Sequence, residues 1–350
     1  MTIDAAIHRA LLAQSRGCQA GGSPMNAAIL LKAAANWALG GPVHRLMSPW
    51  TELDYAGQLD AATPIRLIGA LHELALSGDD PQISAAYAKG GADAIWTAAQ
   101  PAMLRHHDRL AAFMTHEPQT NEVRRSVCLA GGFLMIAAET GLPLRCFEIG
   151  ASAGLNSSWN RYRYRLGDMD WGDCGAPLTL DADWTGPPPP AAAALRVIER
   201  AACDRRPTDL HDPDQRRRLL AYVWADQPER LARARAAIDD TREHGVTVEA
   251  ADAVAWTRAR VAPQDGAATV LFHSVFWQYM PAESQAALAQ VIEGIAARAT
   301  AAAPFAWLRM EPSAATMMVM EVRLTLWPGG SERILAECHP HGASVRWLGA

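Results

Sequence analysis

Over its first 140 residues the chain sets apolar side chains three and four positions apart, the spacing of one face of a helix. "IDAAIHRALLAQSRGCQA" and "SPMNAAILLKAAANWALGG" both carry it. In the second, Ser23 stands where a cap is needed, Pro24 at the first helical position, and Gly40-Gly41 at the stop. "TPIRLIGALHELALSG" repeats this grammar, with Thr63 before Pro64 and Gly78 at the end. Further helical patterns cover about 82–99, 101–115 and 121–140, and no period-two strand interrupts them. Residues 1–140 therefore read as an all-helical N-terminal domain.

The texture changes after Gly141 and Pro143. Short apolar runs now alternate with helical patterns: "LRCFEI", "LRVIERAACD", "VTVEAADA", "ATVLFHSVF" and "PFAWLRME". Strands separated by helices predict a parallel sheet covered on both faces. Two alternating runs, "EVRLTLWPGG" and "ASVRWL", close the chain, and a turn near "PGGSER" predicts an antiparallel ending. A Pro-rich insert at about 167–194, "GDMDWGDCGAPLTLDADWTGPPPPAAAA", reads as loop with little helix. The expected fold is α/β. It has a Rossmann-like, doubly wound, mostly parallel sheet with an antiparallel C-terminal strand over 141–350, behind the helical domain.

Composition narrows the function classes. A formal net charge of -5 argues against affinity for nucleic acid through bulk positive charge. The most apolar stretch, "MNAAILLKAAANWALGG", is broken by Lys32 and Asn36 and predicts no membrane span. Asp4, His8 and Gln14 interrupt the start, where a leader peptide would be apolar, so a cytoplasmic location is expected. Six scattered cysteines without a C-x-x-C pair read as reduced and structural. Arg161, Arg163 and Arg165 alternate with Tyr162 and Tyr164, which reads as a strand with one aromatic and one solvated face. His339 and His341 give two metal-type ligands with no third, so no metal is expected.

The chemistry concentrates at "LRCFEIGASAGLNSSWNRYRYR". Gly150-Ala151-Ser152-Ala153-Gly154 satisfies G-x-S-x-G, the strained turn that presents a serine nucleophile, and Asp252 followed by His339 or His341 supplies partners in hydrolase order. Three features weigh against that reading: the helical first 140 residues, the absence of an H-G-G-G-like oxyanion stretch, and Glu148 inside the strand. The same residues nearly satisfy E-x-G-x-G-x-G, the nucleotide loop of methyltransferases, with Ser152 for the middle glycine. Gly150 and Gly154 would let the backbone approach a ligand, Glu148 would hold the turn, and Asn156 lies just beyond. Asp204, ending the next strand, would accept the ribose hydroxyls. Asp252 and Ala253, ending the third, would face the adenine. Asp204 lies beyond the roughly 20 residues usual after such a loop, and the insert accounts for the excess.

"QTNEVRRS", "EIGASAGLNSSWNRYRYR", "YVWADQPERLARARAAI", "LFHSVFWQYMP" and "FAWLRMEP…EVRLTLWPGG" together resemble, along essentially the whole chain, a bacterial family of unknown function. Its members look like class I, S-adenosylmethionine-dependent methyltransferases with an added helical domain. The resemblance implies S-adenosyl-L-methionine as cofactor. Beyond the fourth strand, His273, Ser274, Trp277, Gln278 and Tyr279 are placed to face a reacting centre, with His273 as a general base and Tyr279 and Glu311 beside it. An acid at Glu311 suits an amine. Thr120 is expected to cap a helix, with Asn121 and Glu122 closing the cleft from the helical domain. Asp226 is expected to cap the helix at Pro228, with Trp224 and Gln227 bordering the site. The expected function is methyl transfer to a small polar metabolite, without nucleic-acid or membrane partners. The alternatives are a serine hydrolase using Ser152 and a non-catalytic cofactor-binding protein.

Overall fold

The computed structural model describes residues 3–190, 195–316 and 318–349. Helices come first: α1 (Ile3–Ala20), α2 (Pro24–Ala35), α3 (Pro42–Met47), α4 (Tyr55–Asp60), α5 (Thr63–Ser77), α6 (Pro81–Lys89), α7 (Ala92–Arg105), α8 (His107–Met114) and α9 (Arg125–Thr140). Then come β1 (Leu144–Ile149), β2 (Arg163–Leu166), β3 (Met169–Trp171), β4 (Thr179–Asp181), β5 (Asp183–Thr185) and β6 (Val197–Asp204). Next are α10 (Pro213–Ala221), α11 (Pro228–His244), β7 (Val248–Ala250), α12 (Ala253–Arg260), β8 (Ala268–Ser274) and α13 (Ala282–Ala296). The chain closes with β9 (Phe305–Pro312), β10 (Met320–Trp327), β11 (Glu332–Cys338) and β12 (Ser344–Trp347).

The chain forms two compact units. The first comprises residues 1–120 with 212–235, the second residues 121–211 with 236–350. The division differs from the boundary read at 140, and the reason is α9. This helix is buried along almost its whole length and packs against β8, β9 and β10. Gly131 and Gly132 allow the close approach: a Cβ on the first would lie 2.4 Å from the Trp347 ring, and on the second 2.4 Å from Leu308 Cδ1.

Within the first unit an apolar core joins α1, α2, α5, α7 and α8 to Ala221 and Tyr222. The cap of α2 comes from far along the chain. Asp226 accepts a 2.6 Å hydrogen bond from Ser23 Oγ and a 2.9 Å bond from Met25 N–H, so it caps α2. Ser23 works through Asp226, since its own side chain bonds no helix amide. Trp224 and Gln227 serve the same joint. Trp224 lies against Gly21, and Gln227 Nε2 donates to Gly21 and Gly22 carbonyls. Asp226→Ala should cost about 1–2 kcal/mol by stranding the Met25 amide and Ser23 hydroxyl. Thermal melting of the variant checks this; an unchanged midpoint would contradict it.

The second unit is built on a nine-stranded sheet, ordered β5-β12-β11-β10-β9-β8-β1-β6-β7. The block β9-β8-β1-β6-β7 is parallel throughout. The chain steps outward from β1 to β6 and β7, then returns to β8 on the other side of β1. Adjacent residues of β8 show both faces covered. Leu271 joins a core with Trp256, Leu288 and Ile292 from α12 and α13, while Phe272 meets Phe133 of α9 edge-on. The antiparallel ending has one strand more than the alternating runs suggested: β10 pairs with β11, which pairs with β12. β11, "ERILAEC", hides its alternation behind the half-exposed Ile334.

The insert forms short strands, β3 and β4 flanking β2 in a small second sheet, and its residues 191–194 lie outside the described residues. Of the Arg/Tyr alternation only residues 163–165 lie in a strand, β2, because the preceding 3-10 helix runs on through Arg161. Tyr162 and Tyr164 are fully buried, donating to the carbonyls of Leu155 and Trp159 at 2.7 and 2.6 Å. Arg161 instead binds Asp240. All six cysteines are free.

Candidate functional site

The loop after β1 is tied to the end of β6. Ala151 N–H donates to the Cys203 carbonyl at 3.1 Å, and Thr208 N–H to the Ser152 carbonyl at 3.1 Å. Between them, Asp204 Oδ2 accepts Ser152 N–H at 2.8 Å and Oδ1 accepts Arg206 N–H at 2.9 Å. Gly150, Ser152 and Gly154 all have left-handed backbone, φ 65, 55 and 75°. Glycine adopts this freely, whereas a serine pays strain for it. Ser152 Oγ is buried without a hydrogen-bond partner.

The two glycines are packed against protein. A Cβ at Gly150 would lie 2.1 Å from the Phe276 ring, and one at Gly154 would lie 3.0 Å from Val248. A dinucleotide-type turn leads from its strand into an α-helix; here none follows the loop directly, and a six-residue 3-10 helix, Asn156–Arg161, leads into β2. The place of the α-helix is taken by bracing side chains. Asn156 is buried, with Oδ1 accepting from Ser126 Oγ at 2.7 Å and Nδ2 donating to the Glu122 carbonyl at 3.3 Å. Asn121 Oδ1 accepts Leu155 N–H at 2.9 Å. The segment "NEVRRS", residues 121–126, thus braces the loop from within its own unit. Thr120 caps nothing there, because α9 starts only at Arg125.

Glu148 holds the turn through a side chain and not through backbone amides: its carboxyl accepts the hydroxyl of Ser157. Burial pushes its pKa up to about 8, and the charge of Asp204 pushes the same way. The folded protein therefore keeps this carboxyl protonated at a pH where the unfolded chain has ionised it. Stability from this group is full below about pH 4.5 and is lost as pH rises through about 8. Glu148→Gln, which keeps the acceptor, should match the wild type at pH 4.5 and exceed it by about 1–3 kcal/mol at pH 8. Denaturant titrations at the two pH values test this; a variant less stable at both would contradict it.

On the other side of β1 from β6, β8 and β9 end in a second polar cluster. His273 is fully buried. Its Nδ1 lies 2.7 Å from Glu311 Oε1, and its Nε2 lies 3.1 Å from Trp307 Nε1. Indole can only donate, so Nε2 accepts, Nδ1 carries the proton, and the ring is neutral with both nitrogens engaged. His273 has no lone pair left for a substrate proton; it orients Glu311. The same Oε1 also accepts Phe276 N–H at 2.9 Å and Trp277 N–H at 3.2 Å. That turn passes through Val275 at φ 51°, a costly conformation for a β-branched residue. Tyr279, 74% exposed, stands at the rim.

Asp252 and Ala253 lie at the end of β7 with structural duties. Asp252 Oδ1 caps α12 by accepting the amides of Val254 and Ala255 at 3.0 and 3.1 Å, and Ala253 is buried in the core. The partners expected of a nucleophilic Ser152 are not gathered around it. His339 follows β11, with β10, β9 and β8 between it and β1, a separation of roughly 19 Å at about 4.8 Å per strand. Trp307, Val275 and Ser126 carry much of this geometry and were not singled out from the sequence. Only Trp307 left a signal, its period-two spacing with Arg309 and Glu311.

Among the described residues no group of three or more His, Cys, Asp or Glu side chains is placed to hold a metal, and no helix is long and apolar enough to cross a membrane. No curated protein and no solved structure matches the chain. A family model described as "uncharacterized protein conserved in bacteria" (DUF2332) matches residues 8–347, and the chain belongs to that family.

Proposed function

We propose that this protein transfers a methyl group from S-adenosyl-L-methionine to a small polar metabolite, in a Rossmann-like doubly wound domain. The observation that carries the reading is Asp204. It is a carboxylate at the end of the strand beside β1, bonded to the amide of a left-handed residue in a glycine-flanked loop. In open α/β sheets, ligands bind beyond the carboxyl ends of the strands where the strand order reverses. Here that reversal lies between β1 and β8.

The residues present fit the cofactor. Each Asp204 oxygen takes one amide, leaving lone pairs for two ribose hydroxyls. Asp252 spends Oδ1 on its helix cap and keeps Oδ2 for the adenine amino group. Ser152 Oγ, buried and unbonded, is available to the methionine part. When bound, the cofactor supplies an electrophilic methyl on its sulfonium. The chain's own work is to align the acceptor and exclude water, and alignment alone contributes much of the acceleration in such transfers.

Incubation of the protein with S-adenosylmethionine and a pooled small-metabolite extract tests the proposal. Release of S-adenosylhomocysteine that depends on the extract and on Asp204 is expected. Labelling of Ser152 by a fluorophosphonate probe, without such release, would favour hydrolysis instead.

A further inference from the structure

Glu311 is an asymmetrically satisfied carboxylate. Three donors converge on Oε1, from His273, Phe276 and Trp277. Oε2 is buried and has no hydrogen-bond partner, on a residue only 8% exposed. A buried carboxylate oxygen without a donor is costly. No lysine or arginine lies within ion-pair distance of Glu311 among the described residues either. His273 is Glu311's sole ion-pair neighbour among the described residues, and its hydrogen bonds leave it neutral.

The nearby cations make their ion pairs with other carboxylates. Arg309, two residues back on the same face of β9, binds Glu332 through Nη2, stacks over the Trp307 ring at 3.8 Å and keeps a buried Nη1 without a hydrogen-bond partner. Arg323 binds Glu332 and Glu321. Two guanidinium groups thus face two carboxylates, and Glu311 is left over. Around it stand aromatic side chains. Trp277 stacks on His273 at 5.8 Å and 18°, and the Trp277 and Trp307 rings lie 5.5 Å apart. An unpaired carboxylate beside indole rings is the chemistry that recognises an ammonium group. Phe276, whose amide bonds Glu311, also lies against Gly150, so this site adjoins the loop.

The geometry points to Glu311 Oε2 as the receptor for the primary ammonium group of a small-molecule substrate. It deepens the proposed function by naming the acceptor class, an amine, and rests on that reading for the word acceptor. The binding claim stands on Glu311 and its neighbours. Entry requires the half-exposed turn around Val275 and Trp277 to shift, since Oε2 is covered.

Glu311→Gln isolates the free oxygen. Glutamine keeps an acceptor for the three donors and replaces Oε2 with a donor that repels ammonium. The measurement is ligand-observed NMR of n-butylammonium chloride, with 1-butanol as the neutral isostere, on the full-length wild type and the variant without cofactor. S-adenosylhomocysteine affinity and melting temperature are recorded for both proteins. Butylammonium should bind the wild type and 1-butanol should not, and the variant should bind butylammonium about tenfold or more weakly at unchanged melting temperature. Absence of butylammonium binding to the wild type, or equal binding by both proteins, would overturn the inference. So would loss of S-adenosylhomocysteine affinity without any butylammonium binding, which would assign Oε2 to the amino group of the cofactor. Butylammonium binding without S-adenosylhomocysteine binding would remove the methyltransferase reading and leave the ammonium site standing.

Discussion

Asp204→Ala should lower S-adenosylhomocysteine affinity by about two orders of magnitude or more. Two hydrogen bonds from a diol to a carboxylate are charge-assisted, and losing them together costs about 3 kcal/mol or more. The substitution also removes the acceptor of Ser152 N–H and Arg206 N–H, so a stability loss of about 1–2 kcal/mol is expected alongside. Asp204→Asn separates the two effects. Asparagine can still accept one amide, so it should recover part of the stability while leaving affinity low. Affinity unchanged in the folded alanine variant would remove Asp204 from the site.

Gly150→Ala is expected to destabilise the second unit strongly. The backbone there has φ 65°, and the added Cβ would lie 2.1 Å from Phe276 Cδ2 and 2.6 Å from its Cγ. The Phe276 backbone is held in place, because its own amide is bonded to Glu311 and the next amide shares that acceptor, so only the ring can give way. Left-handed strain and displacement of the ring together should cost about 2–4 kcal/mol. Gly141→Ala is the control: its φ is also left-handed, at 64°, yet a Cβ there meets nothing within 4 Å. It should cost about 1 kcal/mol, the strain alone. Equal melting temperatures for the two variants would show that Phe276 does not close over the loop.

How much of this was legible in the sequence follows from the range of each interaction. The five parallel strands announced themselves as short runs rich in apolar residues between helical patterns, and the glycine loop and the strand-end carboxylate Asp204 fall at the ends of such runs. The helical first 120 residues were equally plain. What escaped depends on long-range partners. Asp226 has the local spacing of a cap for the helix at Pro228, yet its carboxylate is spent on Ser23 and Met25 some 200 residues earlier. His273 looked like a base because histidine titrates near neutrality, but Trp307 and Glu311 occupy both its nitrogens. Neither partner can be assigned to it before β8 and β9 are known to be adjacent. Asn156 was read as a contact residue from its place after the loop. Its bonds to Ser126 and to Glu122 make it an internal brace. β11 went unread because Ile334 faces out where the alternation called for a polar side chain.

The most direct measurement is calorimetric titration of purified, ligand-stripped protein with S-adenosylhomocysteine and with S-adenosylmethionine. Micromolar binding of both, lost in Asp204→Ala, is the expected result. A folded wild-type protein that binds neither would contradict the cofactor reading of the loop and leave the buried Ser152 hydroxyl without its assigned ligand.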